Sequence, residues 1–293
     1  MRNNPGCRAE KNLLIAVVSS LVTLSLHAQT YNETENYGSI SLGQGNAAIV
    51  GTSLQENACA PVAVANGLSF LYSLDSAAFT SSPNSYTAVN QLITAMGTGT
   101  TGSTAVGISN GVQNYLGVSG SNPSLGVTVQ QNSTPTALSL NTAMAASDAV
   151  QLGILWGTTS GSTFTASDGG GGHFFSVTSI AITNGTGTMT ILDPWGVDVS
   201  GGPGSSAASV KLSVTTQTLT GIGTVLFLNY GPGTTQPADN TSVDGTGATS
   251  YGGFSFPSGY VALDEIEAVP EPSTIALMAG TGIAWFASRR RKA

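Results

Sequence analysis

The sequence predicts an α+β fold, with helices packed on one side of an antiparallel sheet. Two observations carry this. Before about residue 147, apolar residues recur mostly at helical spacing. From about residue 150, β-branched and aromatic residues gather in short runs separated by turn residues. Helices and strands segregated along a chain pack as separate layers.

The first helix follows Cys59, where Val64, Leu68, Leu71 and Tyr72 form an i, i+4, i+7, i+8 stripe. Pro61 confines its start, because proline is tolerated only in the first turn. The helix must therefore begin near 58–60, with Cys59 at its N-terminus. A second helix is predicted over Ser85–Met96, capped by Asn84 or Ser85. Tyr86, Val89, Leu92, Ile93 and Met96 make its apolar face, and Gly97 stops it. Further helical patterns cover 106–116 (Val106, Val112, Tyr115, Leu116) and 137–147 (Leu138, Leu140, Met144). Strands are predicted where Val127 and Val129 alternate with polar neighbours, over 150–156, and then over 174–182, 188–192, 210–219 and 222–230.

The chain divides into four parts: residues 1–28, a domain over 29–230, a Gly/Thr/Asp-rich linker over 231–268 and a terminal segment over 269–293. Tyr260–Leu263 and Ile266 are expected to add one short strand within the linker. About 200 residues between the end segments are ample for one core.

Residues 1–28 read as a secretory signal. Arg2, Arg8 and Lys11 precede an apolar stretch from Leu13 to Leu26, and cleavage is expected after Ala28. At the other end, Val269-Pro270-Glu271-Pro272-Ser273-Thr274 precedes an apolar run from Ile275 to Ala287 and the basic cluster Arg289-Arg290-Arg291-Lys292. This segment resembles the PEP-CTERM sorting signal of Gram-negative bacteria that make extracellular polysaccharide. The resemblance implies an exosortase acting near Pro270-Glu271-Pro272, after export through the inner membrane. The apolar run of about 13 residues reaches only the lower edge of a bilayer span, which suits a short, transient transmembrane helix. The implied destination is the cell surface or the extracellular matrix.

Seven of the eight basic residues lie in those end segments, leaving Lys211 against thirteen Asp and Glu between Gln29 and Ala268. One lysine offers no footing for a phosphate backbone, which excludes nucleic-acid binding. Outside the signal, Cys59 and His173 are the sole cysteine and histidine. They fall short of the three or four protein ligands of a zinc site, and no Asp-rich calcium loop is present. No metal or other cofactor is expected.

Placing Cys59 at a helix N-terminus favours an anion there, and the thiolate is the nucleophilic form. His173 follows Asp168-Gly169-Gly170-Gly171-Gly172 and opens a strand; the next strand ends in Asp193-Pro194-Trp195. If Thr183-Asn184-Gly185 forms a three-residue hairpin loop, Ile182 pairs with Thr186 and Phe175 faces Asp193. His173 and Asp193 then become diagonal neighbours on one face, with Cα atoms about 7–8 Å apart. A two-residue Asn184-Gly185 turn would put them on opposite faces.

Taken together, Gln55-Glu56-Asn57-Ala58-Cys59-Ala60-Pro61, Gly171-Gly172-His173-Phe174-Phe175 and Leu192-Asp193-Pro194 resemble the C39 and C39-like group of papain-like cysteine peptidases. The match covers roughly 50–230. It implies a papain-like fold and hydrolysis of peptide or amide bonds, with Cys59 as nucleophile, His173 as general base and then acid, and Asp193 orienting the imidazole. Gln55, with the Cys59 backbone N–H, would form the oxyanion hole, although only three residues separate it from Cys59, closer than in that group. Signal peptidase and an exosortase-type enzyme are the implied processing partners, and a peptide or protein the implied substrate. The alternatives are an inactive surface or biofilm-matrix protein on the same fold, and a transglutaminase-like acyltransferase using the same residues.

Overall fold

Each helix begins and ends where local chemistry requires. In the computed structural model, which describes residues 29–117, 127–132, 135–166, 172–196, 203–230 and 251–265, a first strand β1 (Thr30–Thr34) precedes α1 (Thr52–Gln55) and α2 (Cys59–Leu74). For the last segment, 251–265, only the backbone is described. Pro61 is the third residue of α2, where its missing N–H costs no helical bond. Ser85 caps α3 (Tyr86–Met96) by accepting from the Ala88 N–H, and Gly97 ends it in the left-handed region at φ 64. Thr104 caps α4 (Ala105–Tyr115) in the same manner. β2 (Val127–Asn132) follows, and a reciprocal Thr136–Ser139 capping box opens α5 (Ala137–Ala145).

The strands then run β3 (Ala149–Ser160), β4 (Thr163–Ala166), β5 (Gly172–Thr183), β6 (Thr186–Asp193), β7 (Ala208–Leu219), β8 (Gly223–Tyr230) and β9 (Tyr251–Glu265). All pairings are antiparallel, as predicted, but the sheet is closed. The order β5-β6-β7-β8-β9-β3 returns to β5 through a β3–β5 ladder, making a six-stranded barrel. β1 is added on β5, β4 on β3 and β2 on β9. The region expected to carry a short strand instead supplies the fifteen-residue β9, which pairs with β8, β3 and β2. Its register on β3 breaks between Leu152↔Tyr260 and Ile154↔Ser255, the interval that holds Pro257. A proline cannot donate to a ladder and is confined to such irregularities.

The hairpin between β5 and β6 corrects one expectation and keeps its consequence. Thr183 pairs with Thr186, so the turn has two residues, Asn184 and Gly185, both at positive φ (53 and 77). The predicted pairing of Ile182 with Thr186 does not form; Ile182 pairs with Gly187. An Asn-Gly turn of this kind matches the strand twist better than a three-residue loop. Taken alone it would send His173 and Asp193 to opposite faces. However, the ladder shifts between Val177↔Ile191 and Ser179↔Thr190, leaving Thr178 as an extra residue. This bulge inverts the faces a second time and returns both side chains to the same side.

Among the described residues two large apolar cores result, beside a small cluster of Leu219, Val225 and Phe227. One fills the barrel with Val150, Leu152, Ile154, Phe175, Val177, Ile191, Leu212 and Leu226, among others. The second lies between the helices and the barrel wall and includes Val62, Leu68, Leu71, Val89, Leu92 and Ile108. α2 sits directly on the wall. A Cβ on Gly67 would collide with the Gln151 amide, and the Ser176 hydroxyl donates to the Ala63 carbonyl at 3.0 Å. Near this contact Glu35 is buried, and its pKa rises from 4.5 to about 9 through burial and the nearby charges of Asp148 and Glu33.

Candidate functional site

The site lies at the mouth of the barrel, where α2 meets the start of β5 and the end of β6. Ile154 stands opposite His173, one step along the ladder from Leu152 opposite Phe175. His173 therefore shares the inward face of β5 with Phe175 and Val177. Asp193 shares the inward face of β6 with Met189 and Ile191. The two side chains meet: His173 Nε2 donates to Asp193 Oδ1 at 2.7 Å, with both residues 2% exposed. The same oxygen accepts the Trp195 N–H at 2.9 Å, which fixes the carboxylate in the tight turn after β6. Trp156 lies nearly parallel to the His173 ring with centroids 6.2 Å apart, and Phe175 approaches it at 6.1 Å.

Cys59 opens α2 and is partly exposed. Its side chain lies close enough to the His173 ring to raise the ring's pKa. Because Nε2 is held by Asp193, Nδ1 is the atom left to face the sulfur. One helical turn along, the Ser176–Ala63 bond ties α2 to the outer face of β5. Burial lowers the His173 pKa, but the charge and hydrogen bond of Asp193 and the contacts with Cys59 outweigh it. The net result is a pKa raised well above 6.5.

No side chain caps the start of α2, and Val62 is the first residue whose N–H donates within it, to Ala58. The N–H groups of Cys59 and Ala60 thus lack intrahelical acceptors. Gln55 is placed differently from the arrangement its resemblance implies. Its amide nitrogen donates to the Asn46 carbonyl at 3.0 Å and to that of Ile49 at 3.5 Å, binding the preceding loop. A second glutamine, Gln44, is fully buried between the turn before Cys59 and the turn after Asp193. Sequence reasoning passed over it; its one signal is that it stands between Gly43 and Gly45.

Among the described residues, no group of three or more His, Cys, Asp and Glu side chains could hold a metal ion. Asp168 and most of the glycine run before His173 lie outside the described residues, as do the signal segment, residues 231–250 and the sorting segment. No helix among the described residues is long and apolar enough to cross a membrane.

Comparison with known proteins gives one match. Residues 268–292 fit the PEP-CTERM protein-sorting motif. That motif implies an exported, surface-sorted bacterial protein recognised by an exosortase. No curated protein and no solved structure matches the chain, so the papain-like assignment has no structural neighbour behind it.

Proposed function

We propose that the barrel domain is a thiol hydrolase of peptide or amide bonds, displayed by the sorting signal. The observation that carries this is one partly exposed sulfur in contact with an imidazole that a buried carboxylate orients. Cys59 Sγ gives its proton to His173 and attacks the carbonyl carbon, and the N–H groups of Cys59 and Ala60 receive the developing oxyanion. His173 passes its proton from Nδ1 to the leaving amine as the C–N bond breaks. It then takes a proton from water, whose oxygen attacks the thioester. The acid departs, and the sulfur regains its contact with the ring. Asp193 holds the imidazole throughout, and Trp156 and Phe175 exclude water from that pair. Gln55 is left as a loop brace, since its amide is already engaged. The apolar run 275–287 anchors the chain in the inner membrane until it is processed near Pro270-Glu271-Pro272.

Incubation of the purified protein with a peptide library, read by mass spectrometry, tests the activity. Cleavage is expected with the parent and none with Cys59→Ala. Products carrying an added amine would indicate acyl transfer instead. Absence of both, together with Cys59 alkylated no faster than a simple thiol, would leave a catalytically silent matrix protein.

A further inference from the structure

We propose that Gln44 is a positioning residue that locks the turn bearing Cys59 to the turn bearing Asp193. This rests on the thiol-hydrolase reading above. Gln44 is 0% exposed, and its Nε2 donates to the carbonyls of Gln55 at 3.0 Å and Glu56 at 3.3 Å. These carbonyls end α1, where helical acceptors are otherwise orphaned, and only Asn57 and Ala58 separate them from Cys59. Its backbone N–H donates in the other direction, to the Pro194 carbonyl at 2.7 Å, directly after Asp193. One residue therefore spans the supports of the nucleophile and of the group that orients the imidazole.

The flanking chain shows how closely this segment is threaded. A Cβ at Gly43 would collide with Gly204 and Ser206 backbone, and one at Gly45 with the Pro203 carbonyl. Gly45 N–H donates to Gly204 O at 2.9 Å, and Gly204 N–H donates to Trp195 O at 2.6 Å. On the near side, Leu42 exchanges two backbone hydrogen bonds with the Asn66 amide of α2, each 3.0 Å long. The segment is thus tied to the nucleophile helix, the nucleophile turn and the Asp193 turn at once.

Packing alone does not explain an amide here. Gln44 Oε1 is buried without a hydrogen-bond partner among the described residues, a burden that methionine of similar shape would not carry. The donor is the part of the side chain in use. What it secures is alignment, to which thiol attack is sensitive: a misplacement of about 1 Å can cost roughly a hundredfold in rate.

The experiment measures site-resolved alkylation of Cys59 by iodoacetamide in the full chain, together with kcat and KM on a cleaved peptide. Gln44→Met is expected to stay folded, to alkylate about tenfold more slowly and to lose kcat with KM little changed. Gln44→Glu is expected to be slow at pH 8 and to recover partway towards the parent rate as pH falls to 5, because a protonated carboxyl regains one O–H donor for these carbonyls. The methionine variant should show no such recovery. Folded Met and Glu variants that react at the parent rate across this range would overturn the proposal. In the unsubstituted protein the Gln44 side-chain amide protons should exchange far more slowly than those of free glutamine. Exchange at the free rate would overturn it however the variants fold. A parent Cys59 no faster than a simple thiol would instead defeat the hydrolase reading, and slow amide exchange could still be observed.

Discussion

Replacing Asp193 by alanine is expected to lower stability by about 3 kcal/mol, since it removes one partner of the buried His173–Asp193 pair. Peptide hydrolysis should fall on the order of a thousandfold or more, as when the carboxylate of a Ser-His-Asp triad is lost. Two effects combine. Without the carboxylate, burial pulls the His173 pKa down with only Cys59 left to oppose it. The Trp195 N–H also loses its acceptor. Asp193→Asn restores an oxygen for both donors and should recover much of the stability while leaving the ring less basic. The sign of the pH dependence follows from the raised folded-state pKa of His173. Its stabilisation is complete below the unfolded value near 6.5 and is lost as pH rises through the higher folded value. The advantage of the parent over the asparagine variant should therefore shrink on the alkaline side. Denaturant titration across pH measures it, and an alanine variant as stable and as active as the parent would contradict the account.

Glu35 gives the second large effect. Its pKa is about 9 in the fold against an ordinary 4.5, pushed up first by burial and then by Asp148 and Glu33. The folded chain holds this proton where the unfolded chain has released it. Stability is therefore complete below about pH 4.5 and falls as pH rises towards 9, at roughly 1.4 kcal/mol per pH unit from this group alone. Glu35→Gln, which mimics the protonated acid, should remove that slope and stabilise the protein at pH 8. Tyr37, buried and raised in pKa by burial and by the charge of Glu35, should be relieved as well. Equal slopes for parent and variant would show that Glu35 is not buried as described. His173 contributes a slope of the same sign above pH 6.5, so the difference between the two proteins is the quantity to read.

Much of the helical layer was legible in the sequence because its information is local. Pro61 and the stripe from Val64 to Tyr72 locate the start of α2, and Ser85 and Gly97 mark both ends of α3. Cys59 and His173 stood out because no other cysteine or histidine competes with them outside the signal segment. The barrel was not legible. Its closure depends on the β3–β5 ladder and on β9, whose Gly252, Gly253, Pro257 and Gly259 read locally as turn composition. The contact between His173 and Asp193 depends on two cancelling inversions: a two-residue turn at Asn184-Gly185 and a bulge at Thr178. The turn has a signature; the bulge has none, since Thr178 looks like any other strand residue. Gln44 was invisible for a related reason. Its partners lie eleven to twelve residues on at Gln55 and Glu56, and far along the chain at Pro194.

The site works only if the Cys59 sulfur and the His173 ring meet and act on each other. Outside the signal segment His173 is the only histidine, so its ring resonances can be followed by NMR as pH is varied. A midpoint well above 6.5 is expected with Cys59 free, and a lower one once the sulfur is blocked by a small neutral disulfide cap, because contact with Cys59 helps to hold the proton. A His173 titration that does not change when Cys59 is capped would contradict that contact.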